Sequence, residues 1–140
     1  MEINYWAVLV CGVLSMIIGS IWFGPLFGKK WMQIIGATEM DMEKRKEMQK
    51  RAMPLYIISF VLSLFQAYVL SYAIQLTAMD TSGAIKIAFW LWAAFVIPTV
   101  AAGSMWNNDS SKISWSRFWI QAGHYLVLFV IFGLVLGLWR

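Results

Sequence analysis

Four long apolar stretches, at about residues 5–27, 54–79, 85–106 and 115–139, alternate with short polar connections along the chain. A helix that crosses the roughly 30 Å hydrocarbon core of a bilayer needs about 20 mostly apolar residues, and each stretch is that long. The only charged residues inside them are Lys86 and Arg117, each in a span's first turn. Closed β-barrels also satisfy their backbone in lipid, but they read as short alternating segments, and these runs are continuous. The pattern predicts an all-α fold: a bundle of four transmembrane helices forming a single integral membrane domain over residues 1–140.

The first connection is long enough to hold structure of its own. Trp31, Met32, Ile34 and Ile35 are apolar and belong at the membrane interface, before Gly36 breaks the run. Thr38 with Asp41 three residues on has the form of a helix N-cap. Glu43 with Lys46, and Glu47 with Lys50 and Arg51, stand at helical spacing. These features predict a short cytoplasmic amphipathic helix that ends before Pro54 opens the second span. The second connection, around Asp80 and Gly83, reads as a tight turn, and the third, 107–112, as a short polar loop.

Composition narrows the class. Of 140 residues, 61% are hydrophobic and 13% charged, and the mean hydropathy is +0.68. Soluble domains carry about 25% charged residues, so a soluble globular domain is excluded. The net charge of +4 does not indicate a nucleic-acid partner, because the basic residues flank apolar runs. Lys29, Lys30, Lys44, Arg45, Lys46, Lys50 and Arg51 lie in the first connection, and Lys112 and Arg117 at the third, against Lys86 and Arg140 on the opposite side. Lys and Arg collect on the cytoplasmic face, so nine against two predicts cytoplasmic first and third connections and both termini outside. Membrane lipids are then expected partners, since each basic side chain near a bilayer is attracted to anionic headgroups by about 1 kcal/mol. The first span lacks the basic start and small-residue cleavage site of a secretory signal, and it is expected to stay in the mature protein.

Little in the sequence carries chemistry. No Asp or Glu lies inside a span, so an intramembrane carboxylate relay is not expected. There is no phosphate-binding glycine loop, nucleophile elbow or second histidine, and the single Cys11 has no ligand-spaced companion. Enzymatic activity, a metal site and a cofactor are therefore not expected.

His124 is the one titratable group deep in a span, roughly 13 Å into the fourth at 1.5 Å per residue. The same depth in the other spans holds Gly19, Ser63 and Pro98, with Ser15, Gln66 and Gln121 about one turn away and Tyr125 adjacent. Polar groups at membrane depth face the bundle interior or a cavity. His124 either bonds across helices to Gln66, a serine or a freed carbonyl, or receives a ligand. Tyr68, Ser71, Tyr72 and Gln75 form one polar face of the second span, as interhelical hydrogen bonding or as a vestibule above His124. Pro98 withholds a donor from the Ala94 carbonyl and predicts a kink, with Thr99 placed to satisfy the freed group. Gly133 and Gly137 have the small-residue packing spacing, usable within the bundle or between protomers.

The run Gly19-Ser20-Ile21-Trp22-Phe23-Gly24-Pro25-Leu26-Phe27-Gly28-Lys29-Lys30-Trp31-Met32, preceded by Ile3-Asn4-Tyr5-Trp6, resembles the closing element of the first span in a family of small bacterial integral membrane proteins, the domain of unknown function 1761. The resemblance continues through Gly36-Ala37-Thr38, Ala67-Tyr68-Val69-Leu70 and Leu136-Gly137-Leu138-Trp139, essentially the whole chain. Ala122-Gly123-His124-Tyr125 departs from the family's Ala-Gly-Tyr-His order. The resemblance implies four spans and a bacterial cytoplasmic membrane, and it supplies no activity.

Two functional expectations follow. The first is a membrane-embedded protein that binds or transports a small neutral, amphipathic or lipid-like ligand at Gly19, Trp22, Gln66, Pro98, Gln121, His124 and Tyr125, with Tyr72 above. Lys29, Lys30 and Trp31 then form a lipid-headgroup site. The second is a non-catalytic structural or accessory subunit. A bundle this small has little interior, so a homo-oligomer is expected in either case.

Overall fold

The computed structural model describes residues 2–140. Helix α1 (Tyr5–Ile21) passes into a π-helical turn, Trp22–Leu26, and then into a short helix, α2 (Gly28–Ile34). A single 3-10 turn, Ala37–Glu39, leads to α3 (Met42–Thr77). Helix α4 (Thr81–Leu91) runs through a second π-helical turn, Trp92–Val96, into α5 (Ile97–Met105), and α6 (Ser111–Leu138) completes the fold. Four helical rods, Tyr5–Leu26, Met42–Thr77, Thr81–Met105 and Ser111–Leu138, are long and apolar enough to cross a bilayer. The chain is a helical membrane protein.

Each rod begins at a side-chain cap, which satisfies backbone N–H groups left free by the first turn. Asn4 accepts from Trp6 and Ala7 at 3.1 and 3.2 Å, Asp41 from Lys44 at 2.8 Å, Asp80 from Gly83 at 2.7 Å and Ser110 from Ile113 at 3.4 Å. These caps move three expected boundaries. Asp80 makes 81–84 the first turn of α4 rather than a loop, and Ser110 starts α6 four residues before Trp115. At the first connection the cap is Asp41, not Thr38. The backbone around Thr38 belongs to the 3-10 turn, entered through Gly36 at φ 77°, and Arg45 donates to the Ala37 carbonyl at 3.3 Å.

The amphipathic segment is not separate from the second span. It forms the opening turns of α3, which continues through Pro54 for 36 residues without interruption. Pro54 removes the donor for the Lys50 carbonyl. Both residues are exposed, so solvent or headgroups can satisfy that group. The short helix lying between spans 1 and 2 is α2.

The core occupies the half of the bundle nearest the termini. Ala7, Val8 and Cys11 of α1, Ala67, Leu70 and Ile74 of α3, Ala84 and Ala88 of α4, and Leu128, Phe132 and Leu136 of α6 are all buried there. Small residues set the helix spacing. A Cβ at Gly133 would meet the Ala88 Cβ at 3.0 Å, and one at Gly137 the Ala84 Cβ at 2.9 Å. The Gly133/Gly137 stripe therefore packs on α4 inside the bundle, as close-approach motifs do in lipid. At this end Asn4 Nδ2 donates to the Trp139 carbonyl at 3.1 Å, and Arg140 donates to the carbonyls of Ala78 and Asp80 at 3.0 and 3.4 Å.

The opposite half, which carries the first and third connections and most of the basic residues, is looser. None of the α3 residues from Met42 to Gln66 is buried, whereas four beyond that point are.

Candidate functional site

In the looser half, α1, α3 and α6 diverge around a cavity of about 750 Å³. From α1 come Ser15, Met16, Gly19 and Ser20, with Phe23 and Gly24 from the π-helical turn; from α6 come Gln121, His124, Tyr125 and Leu128. Helix α3 contributes Tyr56, Ser59, Leu62, Ser63, Phe65 and Gln66. Tyr56, Leu62 and Phe65 are also more than half exposed, at 58%, 57% and 64%. Helix α3 is thus the open edge of the cavity, and in a bilayer that edge faces lipid.

His124 stands at the centre of this wall. Its Nε2 is buried and has no hydrogen-bond partner. Buried polar atoms are normally paired, and leaving one unpaired costs about 1–3 kcal/mol. The atom faces Gly19, where an added Cβ would lie 3.8 Å away. The rings of Phe23 and Tyr125 flank the imidazole at centroid distances of 5.1 and 5.0 Å, and Trp22 at 6.4 Å. The interhelical bond to Gln66, to a serine or to a freed carbonyl is absent from the Nε2 side.

The local backbone explains how His124 is held. Each π-helical turn starts at a tryptophan whose carbonyl accepts from the N–H five residues on: Phe27 to Trp22 at 3.0 Å, and Ile97 to Trp92. Each tryptophan also points its indole N–H at α6. Trp22 donates to the Ile120 carbonyl at 2.9 Å, and Trp92 to the Ala122 carbonyl at 3.0 Å. The Trp22 ring fills the space over Gly123, where a Cβ would come within 3.0 Å of it. Two indoles thus grip the α6 backbone just before His124. Single π-helical turns often mark functional positions in helices.

The cavity unites Gly19, Gln66, Gln121, His124 and Tyr125, with Trp22 backing the wall. Pro98 is exposed and does not line it. Counting depth along a straight helix could not register the π-helical turn that precedes Pro98, nor the face it presents. Thr99 donates to the Phe95 carbonyl at 2.6 Å, not to that of Ala94. Tyr72 lies on a separate depression near the termini. Lys29 and Lys30 are exposed on α2, while Trp31 packs on Phe23 at 4.8 Å. The residues that sequence reasoning passed over include Met16, Ser20, Ser59 and Trp92. Trp92 carried one readable signal: it lies mid-span, away from the membrane-end belts where tryptophan collects.

Chemically, the cavity offers hydroxyls from Ser15, Ser20, Ser59 and Ser63, carboxamides from Gln66 and Gln121, a phenol and an imidazole. No Lys, Arg, Asp or Glu lines it. Among the described residues, no group of three or more His, Cys, Asp or Glu is placed to hold a metal ion. The surface suits an uncharged ligand that both donates and accepts hydrogen bonds.

The sequence profile of a family described as "Protein of unknown function (DUF1761)" matches residues 6–137. No curated protein and no solved structure matches the chain significantly.

Proposed function

Because the chain belongs to the DUF1761 family of unknown function, which hands on no activity, we propose from geometry alone that it binds or transports a small neutral amphiphile in the cavity between α1, α3 and α6. The observation that carries this reading is the buried, unpartnered Nε2 of His124 beside a cavity of about 750 Å³. The imidazole, the two carboxamides and the serines receive the polar group of the ligand, while Met16, Phe65 and Leu128 receive its apolar part. The exposed α3 edge lets such a molecule arrive from the bilayer. Nine of eleven basic residues stand at or beside the first and third connections, which supports a cytoplasmic placement of those connections. The cavity then opens to the inner leaflet, with Lys29, Lys30 and Trp31 at its headgroup level.

Native mass spectrometry of protein extracted in mild detergent tests the reading. The wild type is expected to carry a non-protein mass. His124→Leu should lose it while keeping the wild-type circular dichroism and melting temperature. A His124→Leu protein that fails to fold makes the histidine structural and overturns the proposal. Gly19→Leu, which fills the cavity without altering His124, should lose the mass as well. A wild type that retains no molecule favours the other reading, a structural subunit packing on copies of itself or on partner membrane proteins.

A further inference from the structure

The depression at the termini-bearing end has a different chemistry. About 700 Å³ of space is bounded by Glu2, Ile3, Tyr5, Tyr68 and Tyr72, none of which touches the His124 cavity. Three of the chain's five tyrosines meet here. Tyr68 and Tyr72 stand one turn apart on α3, and the ring of Tyr5 lies nearly parallel to that of Tyr68, 6.3 Å between centroids at 18°. Glu2 is not a free tail: Gln75 Nε2, one turn beyond Tyr72, donates to its backbone carbonyl at 2.6 Å.

Glu2 and the three tyrosines favour a cation, and Ile3 adds an apolar surface beside them. Aromatic faces are the negative part of the ring quadrupole and attract a cation within about 6 Å of the centroid. Glu2 adds a formal negative charge. Arg140, a cation at the same end, is turned to the carbonyls of Ala78 and Asp80. Among the described residues no ion pair engages Glu2. One carboxylate does not make a metal site, and a strongly hydrated metal ion gains little from ring faces. A cation with a hydrocarbon surface gains from both the rings and the charge. We propose that this depression binds an alkylammonium group, either a free choline-like cation or the headgroup of a zwitterionic lipid at the membrane surface.

Purified protein in uncharged detergent, titrated calorimetrically with choline chloride, tests the first source. Native mass spectrometry from nanodiscs of mixed phosphatidylcholine and phosphatidylglycerol tests the second. Saturable choline binding assigns a soluble cation, and selective retention of phosphatidylcholine assigns a headgroup. In whichever arm is positive, Glu2→Gln and Tyr72→Leu should each weaken binding about two- to fivefold, while Tyr72→Phe, which keeps the ring face, should not. Glu2→Gln keeps the carbonyl that Gln75 holds, and Tyr72 is exposed, so melting should not change. His124→Leu should leave this binding unaltered. Absence of binding in both arms, or binding indifferent to both Glu2→Gln and Tyr72→Leu, overturns the proposal.

Discussion

The two halves of the bundle use small residues in opposite ways. Near the termini, Cβ atoms added at Gly133 and Gly137 would come within 3.0 and 2.9 Å of the Ala88 and Ala84 Cβ atoms, and the helices close on each other. Near the basic connections, Gly19 leaves 3.8 Å between its absent side chain and His124, and the helices stand apart. In lipid, helices gain no hydrophobic driving force from meeting, so packing and interhelical hydrogen bonds decide where they touch. Glycine permits close approach where a neighbour fills the space it leaves, whether that neighbour is small, as at Gly133 and Gly137, or large, as Leu64 over Gly12 and Trp22 over Gly123. Opposite Gly133 and Gly137 stand alanines; opposite Gly19 stands an imidazole with space beside it.

The sharpest test of this contrast is Phe132, which is fully buried in the closed half. Phe132→Ala is expected to cost about 3–5 kcal/mol, read as a lowered midpoint of unfolding in detergent, whereas Phe65→Ala at the cavity edge should change it little. Equal losses would mean that the two halves are packed alike. A smaller effect is expected from adding bulk. Gly137→Leu should destabilise by about 1–3 kcal/mol, because the Thr81 and Ala84 atoms it meets include backbone, while Gly19→Ala should be neutral in the same melt. The smallest effect belongs to the indole bonds. Trp22→Phe and Trp92→Phe each remove one interhelical hydrogen bond, worth about 0.6 kcal/mol in membranes, and Trp22→Phe also removes the ring atoms packed over Gly123. Both should nonetheless reduce retention of a cavity-bound molecule in native mass spectrometry, since they loosen the α6 segment that presents His124.

The spans and the grouping of Gly19, Gln66, Gln121 and His124 were legible in the sequence. Hydrocarbon thickness fixes how many apolar residues a crossing helix needs, and a depth count then aligns polar residues across helices. Facing was not legible. A lipid-facing Ile57 and a core-facing Ile74 are equally apolar, so periodicity carries no signal of which side turns inward. Depth alone therefore puts Pro98 in the cavity and Tyr72 above it, and gives no reason to select Ser59 or Ser20. The run of α3 through Pro54 was not legible because a proline that opens a helix and one accommodated inside it read alike in sequence; here the freed Lys50 carbonyl lies on an exposed stretch open to solvent or headgroups.

The widened turn at Trp92–Val96 also resets the rotational phase of its rod. At about 100° per residue, sixteen residues of unbroken α-helix separate Ala88 from Ser104 by about 160°, nearly opposite sides. Absorbing one extra residue in the turn brings that angle to about 60°, and both residues are buried. An indel of a single amino acid in this stretch would therefore act less on the length of the rod than on its azimuth, swinging every side chain beyond it out of mesh with its neighbours.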